Sequence, residues 1–197
     1  MYDWVMPYRA PDAANPRVQR TRDRILAAAR RLLAESGPAG LTYSVLAERA
    51  GVTRQTLYRH WPARDALLVD LILDGSAGAY PEPGRDPGVV AVQWLTSLRD
   101  AFRDPARRAA VLGVTAQADS DPDSARALIR LTEDRRGALN ELLKPSGVQV
   151  EPEEYALVYG PVLARILFER GEASDNFIQT VVARWLAARP EPATGAS

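Results

Sequence analysis

Apolar residues recur at intervals of three and four along nearly the whole chain, and no stretch alternates in the way a half-buried strand requires. The pattern predicts an all-α protein. Ile25, Ala29, Leu32 and Leu33 form the apolar stripe of a first helix over 17–36, while Arg17, Arg20, Arg22, Arg24, Arg30 and Arg31 crowd its other surface. Ser36-Gly37-Pro38 ends it. Two short helices follow: Thr42 caps one over 43–50 that stops at Gly51, and Thr53 caps another over 54–60. A fourth, over 63–75, turns Leu67, Leu68, Leu71 and Ile72 inward. After the proline-rich linker 80–88, helices are expected near 89–103, 105–118, 122–143, 153–170 and 174–189, about nine in all. Asp104-Pro105 and Asp121-Pro122 read as helix starts, and Gly160-Pro161 as a kink.

The two ends lack this periodicity. Residues 1–16, with Pro7, Pro11 and Pro16, read as a flexible arm, and 190–197 as a disordered tail. Three aromatics in the arm, Tyr2, Trp4 and Tyr8, leave two further readings open. They dock on the protein surface, or the arm, with Arg9 and Arg17, reaches a binding partner.

Composition adds exclusions. With 46% hydrophobic residues the chain of 197 can build a core. It has no cysteine, hence no disulfide, thiolate zinc site or cysteine nucleophile, and one histidine argues against an imidazole-rich metal centre. Neither a secretory signal nor an apolar run of the ~18–20 residues that cross a bilayer is evident. The expectation is a soluble, cytoplasmic protein without metal, cofactor or membrane association. The charges balance at 25 against 25, which suggests no partner until they are split. Residues 1–64 hold eleven arginines and no lysine against five acids, a surplus of six positive charges; residues 65–197 carry an equal deficit. A basic first third on an acidic remainder suits a head that binds a polyanion, although chance or internal ion pairing would give the same imbalance.

The two short helices joined through Ala50-Gly51-Val52-Thr53 fit a helix-turn-helix. Gly51 supplies the backbone freedom of the turn, and Val52 can plug the space between the helices. Arg54, Gln55 and Thr56 open the second helix, where a recognition helix meets base edges. Arginine suits guanine and glutamine suits adenine, while threonine bonds a base or packs on a thymine methyl. The alternative is an ordinary solvated helical face.

The run LTYSVLAERAGVTRQTLYRHWPARDAL at 41–67, preceded by RILAAARRLLAESG at 24–37, resembles the DNA-binding domain of the tetracycline-repressor (TetR) family over about residues 20–70. Trp61 stands where phenylalanine is usual and Arg64 where lysine is usual. The resemblance implies that Thr42 holds a phosphate at a helix N-terminus, and that Tyr43 reinforces it unless it packs on Tyr58. Arg54, Gln55 and Thr56, capped by Thr53, would read bases. Tyr58, His60 and Arg64 would contact phosphates, His60 being otherwise a partly buried, hydrogen-bonded side chain. Leu57 and Trp61 belong to the core.

The domains expected are thus an arm over 1–16, a three-helix DNA-binding domain over 17–64, a helical effector-binding and dimerisation domain over 65–189, and the tail. Trp94, Leu98, Phe102, Val111, Thr115, Leu128 and Leu131, with Gln117 as a polar contact, are candidates to line a small-molecule pocket; each is otherwise ordinary core. Tyr155, Tyr159, Leu163, Phe177, Val181 and Trp185 are candidates for a four-helix interface between two copies, or else fill the monomer. The function that follows is a homodimeric repressor, released from a palindromic operator in double-stranded DNA by a small effector. A constitutive or protein-controlled regulator is the alternative. No catalytic constellation favours an enzyme.

Overall fold

The computed structural model describes residues 16–73 and 80–189. The aromatic arm, the last residues of the fourth expected helix and the C-terminal tail lie outside the described residues. Among those described the secondary structure is helical and no strand occurs. The helices are α1 (Pro16–Gly40), α2 (Tyr43–Ala50), α3 (Arg54–His60), α4 (Arg64–Leu73), α5 (Pro87–Ala101), α6 (Pro105–Ala118), α7 (Pro122–Leu143), α8 (Pro152–Leu163) and α9 (Asp175–Ala188).

Local chemistry sets their ends. Gly37 leaves helical geometry at φ 64°, ψ −172°, so the helical turn from Pro38 to Gly40 is a separate piece after a break in α1. Thr42 accepts the Val45 N–H at 3.3 Å, and Thr53 accepts the Thr56 N–H at 3.1 Å. Gly51, in the left-handed region at φ 61°, ψ 44°, closes α2 and turns the chain into α3. Asp104 caps α6 through the Ala106 N–H, and Asp121 caps α7 through the N–H groups of Asp123 and Ser124. Pro161 lies within α8, and the chain beyond it widens into a π-helical turn over Ala164–Phe168.

Two packing units result. The first combines α1 to α4 with residues 101–137. Ile25, Leu32, Leu46, Leu57, Leu67 and Leu71 are among its buried apolar residues, and α6 adds Ala106, Ala110 and Val114. The small face of α6 allows a close approach: a Cβ on Gly113 would stand 3.0 Å from Pro38. The second unit comprises residues 80–100 and those from 138 onward. Trp94, Leu95, Leu139, Val158, Ile178 and Val182 lie in its core. Within it Asn140 holds Val150 by two hydrogen bonds, 2.8 and 3.1 Å, and Arg99 pairs with Asp175 at 2.5 Å.

Candidate nucleic-acid interface

The first turn of α3 is left open to solvent by its own construction. Its cap fixes Thr53 and Thr56 to each other, their hydroxyls 2.9 Å apart, and Leu57 anchors the opposite face in the core. Arg54 and Gln55 are exposed, as is Arg59 one turn on, and none of these side chains has a hydrogen bond or ion pair among the described residues. Long donors at a helix start with nothing of their own to bind can follow base edges. Tyr58, 54% exposed, adds a hydroxyl on the same helix. At the start of α2, Thr42 accepts from Val45, which leaves its hydroxyl proton to donate to a phosphate oxygen.

Three expected phosphate contacts are placed differently from the rest. Tyr43 donates its one hydroxyl proton to the Trp61 carbonyl at 2.7 Å, and its ring lies 4.9 Å from that of Tyr58. Burial first, then the neighbouring Tyr58 and Asp65, push its hydroxyl well above the usual tyrosine range. With the proton committed there, Tyr43 packs on Tyr58, the alternative that the sequence left open. Arg64 also turns inward, donating to the Pro38 carbonyl and, at 2.7 Å, to the Gln117 side chain. The carbonyl left by the break after α1 gives the guanidinium an acceptor inside the protein. His60 is half-buried with its ring 5.4 Å from that of Trp61.

Some residues here had no functional reading from sequence. Arg22, Trp61 and Asp70 form a buried polar group, with Arg22 Nη2 and Trp61 Nε1 donating to Asp70 Oδ2 at 2.8 and 2.6 Å. The available signal was a carboxylate set between Leu67 and Leu71 in an apolar run, which demands a cation or donor.

The candidate pocket residues divide between the units. Trp94 and Leu98 belong to the second; Phe102, Val111, Thr115, Gln117, Leu128 and Leu131 belong to the first. Thr115 is exposed, and its hydroxyl bonds its own helix at the Val111 carbonyl, 2.9 Å away. Gln117 is taken by Arg64 and by Asp65, to which it donates at 3.0 Å. Phe102 is buried, while Val111, Leu128 and Leu131 are half-buried, packed at the edge of the first core. Trp94 is 2% exposed and its indole N–H has no acceptor among the described residues; Leu98 is half-buried near the same core.

In the second unit a groove of about 610 Å³ runs between α8 and α9. Phe177, Val181 and Trp185 line it from α9, and Leu157 and Pro161 from α8. Trp185 donates to Glu154 at 2.7 Å, and Arg189 binds the same carboxylate while lying over the indole ring. Tyr155, expected at an interface, is instead core: 2% exposed, edge-on to Trp94 and stacked on Tyr159 at 4.4 Å. Tyr159 and Leu163 are half-buried and absent from the groove wall. Leu157, 69% exposed, is the α8 residue sequence reasoning passed over. Its spacing of four from Pro161 was the legible signal.

A capped helix pair with a left-handed glycine at the turn and an open, polar start to its second helix defines a helix-turn-helix DNA-binding protein. Residues 25–71 match the family model for bacterial regulatory proteins of the tetR family, and residues 91–185 match that for the tetracyclin repressor-like C-terminal domain. The chain belongs to the tetR family of transcriptional regulators, which are DNA-binding proteins and not enzymes. It is similar to the HTH-type transcriptional regulator YdeS of Bacillus subtilis (strain 168), with 26% identity over 85% of this chain and 88% of that one. It also resembles the crystal structure of the TetR family regulator SCO0332, at TM-score 0.68 and 26% identity, over 86% of this chain and 98% of that one. A TetR regulator from Rhodococcus sp. RHA1, 20% identical, shares the fold at TM-score 0.62, over 87% and 99% of the two chains. Among the described residues no helix is long and apolar enough to cross a membrane.

Proposed function

We propose that this regulator is a homodimeric repressor that leaves a palindromic operator when a small molecule binds its body. The observation that carries the reading is the first turn of α3, where the side chains of Arg54 and Gln55 are exposed and have no bonding partner among the described residues. Arg54, Gln55 and Thr56 read bases; Thr42 and Tyr58 hold phosphates on either side. Residues 17–64 form the reading head, and 65–189 the body that senses and pairs. The apolar groove between α8 and α9 supports pairing of two copies through Leu157, Phe177 and Val181. Such a dimer sets two α3 helices about one turn of DNA apart, ~34–36 Å, so a modest change in that spacing releases the operator. The effector reading is supported by Trp94, whose buried indole N–H, without an acceptor among the described residues, would donate to one on a bound molecule. A role on an operator in DNA supports a cytoplasmic location.

The test is a mobility-shift assay on a palindrome from the DNA upstream of its own gene. Arg54→Ala and Tyr58→Ala should each abolish the shift at concentrations where the parent saturates it. Undiminished binding by both variants would remove α3 from the reading role.

A further inference from the structure

The charge buried at the back of the reading head calls for an explanation. Asp70 is 2% exposed, and a single oxygen, Oδ2, takes both the Trp61 indole N–H at 2.6 Å and Arg22 Nη2 at 2.8 Å. Its other oxygen is buried with no partner among the described residues. Replacing a buried ion pair by apolar residues of similar volume is often neutral or stabilising, so this group is poorly explained as a source of stability. What it supplies is direction. Trp61 is the residue at which α3 ends, with extended geometry at φ −134°, ψ 101°. Its N–H still donates to Leu57, its carbonyl accepts from Tyr43, and its indole reaches Asp70, each bond between 2.6 and 2.7 Å. Tyr43 in turn packs on Tyr58. One carboxylate therefore ties the end of α3 to α4 and, through Arg22, to α1, with α2 joined through Tyr43. The Arg22 guanidinium also stands 6.0 Å from the centre of the Trp61 ring.

We propose that Asp70 is a positioning residue for operator recognition, setting the register of α3 through Trp61 and Arg22. The inference rests on α3 being the reading helix. A phenylalanine at 61 would fill much the same space but donate nothing, leaving the tilt of α3 to packing alone. Because α3 spans only seven residues, about two turns, an error at Trp61 is carried to Arg54 and Gln55. Base readout needs defined hydrogen-bond geometry, whereas phosphate attraction does not. Loss of the clamp should hence lower discrimination between sequences more than overall attraction to DNA.

The experiment uses the full-length protein and a duplex it selects from a randomised library, with a scrambled duplex of equal length as the non-specific probe. Trp61→Phe, Asp70→Asn and the double variant are compared, each with its folded fraction measured by circular dichroism and thermal melting. Each single variant should lose about tenfold or more of its specific-to-non-specific affinity ratio, the scale of one hydrogen bond to a charged group. The double variant should lose little more than the worse single, since both break one group. Trp61→Phe, the milder change to the core, keeps the test usable should Asp70→Asn fold poorly. Specific and scrambled affinities falling together, or melting temperatures falling with the ratio unchanged, would overturn the proposal. So would additive losses in the double variant. Arg54→Ala, run alongside, checks the reading helix separately: an unchanged ratio there would reject α3 as the reader whatever the Trp61 variant does.

Discussion

Gln117 accepts a hydrogen bond from Arg64 at 2.7 Å, which ties the first residue of α4 to the last turn of α6. On its other side Arg64 donates to the carbonyl of Pro38, just past the break in α1. The arginine thus joins three helices of the first unit. Arg64→Ala should cost stability on the order of 1–3 kcal/mol, since it leaves a part-buried carbonyl and amide short of a donor. The slope of log affinity against log salt should stay that of the parent, because each phosphate contact removed would lower it by about one. Anisotropy titrations at several salt concentrations read the slope. A shallower slope with an unchanged melting temperature would return Arg64 to the phosphates.

The same amide donates to Asp65 Oδ1 at 3.0 Å, and Asp65 has a second carboxylate for a neighbour. Asp65 is 7% exposed; burial raises its carboxyl above the usual range, Asp121 adds to the rise, and Ser124 opposes it. Asp121 is held below that range, chiefly by the Ser124 hydroxyl at 2.8 Å. For Asp65 the folded state favours the neutral form. Its contribution is complete below the ordinary carboxylate value, ~3.9, and declines as pH rises through the raised one. Asp121 contributes in the opposite sense, fully above the ordinary value and lost as pH falls through its lowered one. Asp65→Asn copies the neutral form. Its stability relative to the parent should therefore improve as pH rises from about 4 towards neutrality. Urea melts across that range measure the difference, and a gap independent of pH would refute the sign.

How much of this was legible follows from how local each cause is. The ends of α2, α3 and α6 are set by one side chain and the next turn of backbone, so Thr42, Gly51, Thr53 and Asp104 announced them. The apolar face of α4 followed from spacing. The direction of Arg64 did not, because its acceptors are a carbonyl 26 residues earlier and an amide on another helix. Asp70 lay hidden for the same reason, its partners being Arg22 and Trp61. In α8, apolar residues occupy most positions, so periodicity could not tell Tyr155, which faces Trp94, from Leu157, which faces the groove.

Gly51 isolates backbone strain from packing. Its φ is +61°, and a Cβ placed there would meet nothing within 4 Å. Gly51→Ala should destabilise the reading head by about 1–2 kcal/mol through the left-handed conformation alone. Gly51→Asn should recover part of that loss, since asparagine tolerates this region better. Thermal melts of the two variants make the comparison; equal losses would point to a steric cause.

Leu157 and Tyr155 sit two residues apart on α8 and should fail in different ways. Tyr155 is core, so Tyr155→Ala should cost about 3–5 kcal/mol and lower the melting temperature. Leu157 is 69% exposed and lines the groove with Val181, so Leu157→Arg with Val181→Arg removes no core contact of comparable depth. Placing like charges on a face that two copies would share should instead drive dimer to monomer in sedimentation velocity. Operator affinity should then fall by at least about a hundredfold, because the second head no longer binds at the high effective concentration its partner provides. The helical signal in circular dichroism should persist throughout. A double variant that remains dimeric with full operator affinity would place the contact between copies on another surface.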